Sequence, residues 1–251
     1  GDATGAETAF KDAVRLYDQA GASADALQAN IGLTRHYAAV NDTEGFDLHK
    51  NKVLDATRYA GTTEVKLSSS EALMDLADYI AARDASKEMM NDAQKLLEAG
   101  VKLKVEGSGE GTVDAAMAKQ TLADFYMRPN NPNANFGKAW EILKENIGVL
   151  EASGGRLTEN WAATRAKMAH CQRMRGDYEG AMAGYGEALG TMMKTPLSDP
   201  GRMVAVQRAY AQILQDRGRH AEATTLLTDP ARFLREERGN IKIAGTTGGF
   251  P

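Results

Sequence analysis

Regularly spaced turn signals divide this chain into a succession of segments, each with the periodicity of an amphipathic helix. The breaks contain Gly, Asn, Asp or Pro and are short. Alternating runs of β-branched and aromatic residues, on which strands depend, are almost absent. The sequence therefore predicts an all-α fold. The predicted helices cover residues 6–20, 24–40, 44–59, 69–84, 86–99, 112–128, 135–152, 158–175, 177–192, 201–217 and 219–228, with a short one near 231–238.

The clearest local pattern surrounds the dipeptide Gly176-Asp177. Before it, the small Ala169 would allow a first helix to approach a second one closely. After it, four residues fall on one face of the second helix: Tyr178, Ala181, Tyr185 and Ala188. These positions predict a helical hairpin that turns at Gly176, with Ala169 and Ala181 facing each other.

This pattern resembles the tetratricopeptide (TPR) repeat, most closely over residues 162–195. Two packing positions depart from it, the fourth (Arg165) and the eleventh (Gln172). Weaker copies begin near residues 27, 70, 116 and 204, and segment 6–20 reads as the second half of a unit. The resemblance implies an α-α superhelix (solenoid) of about five TPR-like hairpins plus an N-terminal helix. An unrelated helical repeat and a plain helical bundle are the alternatives.

The spacing of the repeats and the chain ends complete the predicted organisation. Successive repeats start 42 to 46 residues apart, whereas a standard unit has about 34 residues, so longer helices or loops are expected. We predict one helical repeat domain over residues 1–238. Residues 239–251, which include Thr246-Thr247-Gly248-Gly249, are expected to form a flexible tail.

Composition argues against several classes of function. The net charge of -4 disfavours a nucleic-acid binder, and no apolar run approaches the roughly 18 residues of a membrane span. A single cysteine, Cys171, precludes an internal disulfide. His170 precedes it, but neighbouring helix residues point about 100° apart and cannot pair as base and nucleophile. No histidine pair has metal-binding spacing. We therefore expect no enzyme activity, no cofactor and no metal.

The candidate binding residues follow from the resemblance and from a local excess of positive charge. Residues 156–219 carry ten Lys/Arg and six Asp/Glu, in a chain that is negative overall. The resemblance implies that the first helix of each hairpin lines a concave, ligand-binding face. Carried over by register, the positions on that face are His170, Arg173, Met174, Arg208, Gln212 and Gln215. Arg173 and Arg208 would grip an acidic or C-terminal carboxylate segment; the alternative is that they are solvated and paired with nearby acids.

The sequence thus predicts a non-enzymatic scaffold that binds a protein or peptide on the concave face of a TPR-like superhelix. One alternative is a hydrolase that uses inner-face carboxylates, and another is a structural subunit of a bacterial envelope assembly. The chain begins at Gly1 without methionine. This start suggests a removed leader and a periplasmic or otherwise exported bacterial protein, or else a residue left by a tag.

Overall fold

The structure, a computed structural model, describes residues 3–57 and 61–237. These residues form helices joined by short turns, and none of them lies in a strand. The helices are α1 (Ala3–Ala20), α2 (Ser23–Val40), α3 (Thr43–Ala56), α4 (Thr63–Arg83), α5 (Lys87–Ser108), α6 (Val113–Met127), α7 (Phe136–Gly154), α8 (Glu159–Met174), α9 (Tyr178–Met192), α10 (Gly201–Asp216), α11 (His220–Thr228) and α12 (230–237). The predicted all-α class is confirmed.

The helices belong to two compact units, an N-terminal unit (1–135) and a C-terminal unit (136–251). In the N-terminal unit α1 packs on α2, α2 on α3 and α4, α4 on α5, and α5 on α6. In the C-terminal unit α7 packs on α8, α8 on α9, and α10 on α8, α9 and α11. In each unit, the first helix of a later hairpin therefore packs on one or both helices of the hairpin before it.

The boundary between the units falls between α6 and α7, within the repeat predicted to start near residue 116. A single domain over residues 1–238 stays a prediction. The tail predicted over residues 239–251 lies outside the described residues.

Capping side chains determine where many of the helices begin. Before six helices, a Ser, Thr or Asp side chain accepts a hydrogen bond from the backbone N–H three residues later, which satisfies one of the free donors of the first turn. These N-caps are Asp42, Thr62, Ser86, Thr112, Thr158 and Asp177. At the predicted turn, Gly176 has a φ of +83°, a backbone conformation that favours glycine. The hairpin therefore turns where the sequence predicted.

Two helices of the repeat that starts near residue 70 are longer than predicted, which contributes to its wide spacing. α4 has 21 residues and α5 has 22, and α5 continues past Gly100, whereas the predicted helix ended at residue 99. A Cβ on Gly100 would lie 2.9 Å from Cγ of Met74 and 3.0 Å from the carbonyl oxygen of Ser70. Gly100 therefore allows α5 to lie against α4 rather than ending the helix.

Glycines mark two further close helix contacts in the N-terminal unit. A Cβ on Gly32 of α2 would lie 2.4 Å from the Phe10 ring of α1, and one on Gly45 of α3 would lie 2.6 Å from the Tyr37 ring of α2. The repeat pattern expects a small residue at position 46, but Phe46 is itself buried. The small residue of this hairpin is Gly45, one position earlier.

The α8–α9 hairpin has its close contact at Gly184. A Cβ on Gly184 would lie 2.9 Å from the Cβ of Ala169 and 2.8 Å from Nη1 of Arg165. Ala169 therefore meets Gly184 at this contact, whereas the sequence suggested Ala181, which is also fully buried. Two helices that approach this closely leave no room for an added methyl group.

The two departures from the repeat pattern form a polar network between α8 and α9. Arg165 Nε donates to Glu187 Oε2 at 2.6 Å, and Gln172 Nε2 donates to Asp177 Oδ2 at 2.8 Å. Gly180 leaves the space that this network occupies, because a Cβ there would lie 2.2 Å from both Gln172 Nε2 and Asp177 Oδ2. Hydrogen-bonded polar groups thus replace the apolar contact expected at these positions.

The contact at Gly184 predicts opposite effects for the same substitution at two glycines of the C-terminal unit. Gly184→Ala should lower the free energy of unfolding by about 1–2 kcal/mol, because the new methyl group overpacks the hairpin. Gly148→Ala in α7, where nothing lies within 4 Å of the added Cβ, should raise it by roughly 0.5–1 kcal/mol through helix propensity. Urea unfolding followed by circular dichroism measures both changes. Stabilisation by both substitutions would contradict the close approach at Gly184.

Candidate functional site

His170, the first predicted site residue, is half-buried near the end of α8. Its ring packs edge-on against the Phe136 ring of α7, with ring centroids 5.7 Å apart. Burial, and secondarily the charge of Arg173, lowers the pKa of His170. The neutral ring therefore contributes packing against α7 as well as part of the candidate surface.

Arg173 and Met174 end α8, and they differ in exposure. The Met174 side chain is 52% exposed, whereas Arg173 is half-buried. Burial raises the pKa of Tyr185 on α9 to about 12, and the positive charge of Arg173 acts in the opposite direction. The guanidinium of Arg173 therefore lies close enough to α9 to act on the Tyr185 hydroxyl.

The α10 candidates share one exposed helix face. Arg208, Gln212 and Gln215 are exposed at spacings of four and three residues, while Tyr210 and Ile213 are buried between them. Gln212 Nε2 donates to Oδ1 of Asp216 at 2.7 Å, so its amide already has a partner within the helix. Since α8 and α10 pack on each other, the structure carries the six predicted residues on two adjacent first helices.

Most cations of segment 156–219 are neutralised by neighbouring acids or stacked on rings. The ion pairs are Arg156–Glu151, Arg165–Glu187, Arg202–Glu159, Arg217–Glu179 and Arg219–Glu222. The guanidinium of Arg175 lies over the Trp140 ring at 5.4 Å. Arg173 and Arg208 have no ion-pair partner in the described part of the chain, so their charges are available to a ligand.

Sequence reasoning missed a second candidate, a groove of about 340 Å³ between the first helices α4 and α6. We call it the α4–α6 groove. Its lining residues are Ser70, Glu71, Met74 and Asp75 of α4, Lys104 of α5, and Asp114, Met117, Ala118 and Thr121 of α6. Beyond it along α4, an ion pair between Asp78 and Arg128 links α4 to the end of α6. The sequence offers no local signal for this groove, because its two sides come from different repeats.

The α4–α6 groove combines an apolar lining with a negative rim. Met74 and Met117 are half-buried and flexible, so their thioethers can adapt to different apolar groups. Lys104 Nζ lies 3.1 Å from Glu71 Oε1 and neutralises it. Asp75 and Asp114 lack an ion-pair partner among the residues that the structure covers. The groove is therefore suited to an apolar group beside a positive charge.

Each of the two first-helix surfaces has the same sign of charge as the unit that contains it. Residues 1–135 carry 14 Lys/Arg and 21 Asp/Glu, a net charge of -7, whereas residues 136–251 carry 16 and 13, a net charge of +3. The predicted positive surface on α8 and α10 lies in the positive unit, and the α4–α6 groove lies in the negative unit. Each surface would therefore favour a segment of opposite charge.

Residues 3–57 and 61–237 contain neither a candidate metal site nor a candidate membrane span. Over these ranges, no His, Cys, Asp or Glu side chains cluster in threes in a way that could hold a metal ion. No helix in the same ranges has the length and apolar character needed to cross a membrane. Cys171 is buried in α8.

Solved structures of TPR-like repeat proteins share the fold. BtubC (BKLC) from P. vanneervenii is 15% identical with a TM-score of 0.60, covering 100% of this chain and 94% of BtubC. A protein of Podosopora anserina, described as a kinesin light chain with nearly identical TPR-like repeats, is 18% identical with a TM-score of 0.55, covering 86% and 96%. A substituted form of it is 19% identical with a TM-score of 0.56, covering 85% and 96%. No family model and no curated protein matches the chain. The predicted TPR-like repeat fold is confirmed.

Proposed function

We propose that the chain is a non-enzymatic scaffold that binds segments of other proteins on surfaces formed by consecutive first helices. The observation that carries the proposal is the α4–α6 groove, which is open, lined by methionines and rimmed by Asp75 and Asp114, two carboxylates without an ion-pair partner among the described residues. TPR-like repeat folds commonly act as protein-interaction scaffolds. Grooves between helices accept amphipathic segments through an apolar face flanked by charges.

The chemistry of the α4–α6 groove selects one kind of segment. An apolar side chain would lie on Met74 and Met117, where flexible thioethers repack around it at low cost. A lysine or arginine beside it would meet Asp75 and Asp114. We therefore propose a partner segment in which basic and apolar residues alternate at helical or extended spacing.

The first test uses a fluorescein-labelled peptide of alternating leucines and lysines, titrated with the full chain and followed by fluorescence anisotropy. The double variant Asp75→Asn/Asp114→Asn should weaken binding about three- to tenfold at low salt, because two exposed ion pairs are lost. The difference should shrink at high salt, since screening removes most of the attraction.

A matched control separates the groove from the net charge of the unit. Glu44→Gln/Glu88→Gln removes two exposed carboxylates from the first turns of α3 and α5. This control should leave the affinity unchanged. Equal weakening by both double variants, or binding unaffected by Met117→Lys, would argue against the groove as the binding site.

The positive surface on α8 and α10 is proposed to bind an acidic or carboxylate-ended segment. Its proposed residues are His170, Arg173, Met174, Arg208, Gln212 and Gln215. The unpaired state of Arg173 and Arg208, among arginines that mostly have acidic partners, supports this assignment. Arginine can hold a carboxylate through two parallel N–H donors.

The second test uses a labelled leucine–glutamate peptide with a free C-terminal carboxylate. Arg173→Ala/Arg208→Ala should weaken its binding about threefold to thirtyfold at low salt, each lost charge contact contributing up to about 1 kcal/mol. The control Arg156→Gln/Arg232→Gln removes two arginines that already pair with Glu151 and Glu236. Unchanged affinity in the first double variant, with the helical circular dichroism intact, would remove this site.

A further inference from the structure

A cleft of about 500 Å³ opens between α1 and α3 of the N-terminal unit, on the side formed by second helices. We call it the α1–α3 cleft. Its apolar wall comes from Val14 of α1, Leu33 of α2 and Leu48 of α3. Leu33 is fully buried and Val14 nearly so, while Leu48 is 54% exposed at the edge. The volume is within the range of small-molecule sites, about 300–1,000 Å³.

Positive charges surround this apolar wall, although the unit as a whole is negative. Lys11, Arg15 and Lys52 line the cleft with a single carboxylate, Asp18. Lys11 pairs with Glu7 at 2.7 Å and Arg15 with Asp12 at 3.3 Å, both within α1. Lys52 has no acidic partner within residues 3–57 and 61–237. Lys52 is thus the one lining cation without an acidic partner in these ranges, in a unit of net charge -7.

A buried histidine completes the lining. His49 is 5% exposed, its Nδ1 lies 2.8 Å from Oδ1 of Asn30, and its ring stacks on Tyr37 with centroids 5.5 Å apart. Because the amide oxygen accepts, the neutral ring carries its proton on Nδ1, and Nε2 has no hydrogen-bond partner in the described ranges. A nine-tenths buried polar group therefore lines the cleft with one nitrogen uncommitted.

We propose that the α1–α3 cleft binds a small organic anion that carries a hydrocarbon chain. The chain would lie on Leu48 and the accessible edge of Val14, and the anionic end would meet Lys52 with Lys11 or Arg15 beside it. An alcohol of the same length would gain only the apolar contact, and a cation would be repelled by the unpaired Lys52. This site is independent of the peptide-binding surfaces proposed above.

The protonation of His49 provides a reporter within the cleft. Burial, with smaller effects from the charges of Lys52 and Lys11, lowers the pKa of His49 to about 4, and Glu7 acts weakly in the opposite sense. A bound anion adds negative charge beside the ring and should raise this pKa. The groups that face the ring or line its cleft are Glu7, Lys11, Arg15 and Asp18 of α1, Asn30 and Tyr37 of α2, and Lys52 of α3.

The sign of the pH effect follows from this shift. Between the ordinary pKa of 6.5 and about 4, the unfolded chain binds a proton that folded His49 does not, so His49 makes the fold less stable as the pH falls. A bound anion raises the pKa of His49 in the folded chain, so the folded and unfolded pKa values lie closer together. Octanesulfonate, which stays charged throughout, should therefore bind more tightly at pH 5 than at pH 7 and stabilise the fold more there.

The experiment titrates the full chain with octanoate, 1-octanol and octylammonium, observed by calorimetry and by the NMR signals of the His49 ring. Octanoate should bind saturably below about 10 mM and at least tenfold more tightly than octanol, and octylammonium should not bind. Lys52→Gln should weaken octanoate about three- to tenfold. Leu48→Gln, at an exposed position, should weaken it by a similar factor.

Lys87→Gln is the matched control, because it removes one exposed lysine of the same unit away from the cleft. It should leave octanoate binding unchanged. Three outcomes would overturn the proposal: equal loss in Lys87→Gln and Lys52→Gln, octanol binding as tightly as octanoate, or no saturation with octanoate. Binding of an acidic peptide here without octanoate binding would also overturn it and would identify a protein-docking surface instead.

Discussion

Both units depend on close helix contacts in which a glycine of one helix lies against a side chain of the next. Gly32 meets Phe10, Gly100 meets Met74, and Gly184 meets Ala169, and a Cβ at any of these glycines would lie within 3 Å of its neighbour. Such a contact fixes both the distance between the paired helices and their rotation, because a close-packed interior has no free space into which either helix could shift. The rotation determines which side chains face outward. The composition of each candidate surface therefore depends on how its helices are packed against their neighbours.

The same constraint explains why polar residues are tolerated between α8 and α9. With glycine at position 180, two helices can stay close only if something longer than a methyl group fills the gap from the side. Gln172 does so beside Gly180, and Arg165 lies beside Gly184; hydrogen bonds to Asp177 and Glu187 respectively satisfy these two side chains. A hydrogen-bonded network of this kind specifies a single pairing, because any other register would leave polar groups without partners.

Features built from residues close in sequence could be predicted, whereas features that bring distant parts of the chain together could not. The turn at Gly176 and the α8–α9 hairpin could be predicted because both rest on residues close in sequence. α5 was predicted to end at residue 99, and only its packing against α4 shows why a glycine stands at position 100 inside the helix. The positive surface on α8 and α10 was predicted from the repeat register and a charge count along one segment, and it stays a prediction. The α4–α6 groove could not be predicted, since Met74 and Met117 come from different repeats and no short pattern links them.

Within the N-terminal unit, the two candidate cavities carry opposite charge although both have an apolar wall. First helices form the α4–α6 groove, where Asp75 and Asp114 set a negative rim, and second helices form the α1–α3 cleft, where Lys52 sets a positive one. Burial of apolar groups would be similar in both, so the charges at the rims decide which ligand each prefers. At physiological ionic strength, charges more than about 8 Å apart are largely screened from each other. A bound ligand is therefore affected more by the charges at the rim than by the net charge of the unit. With the two proposed sites, one acidic unit would discriminate between a basic segment and an organic anion without a change of fold.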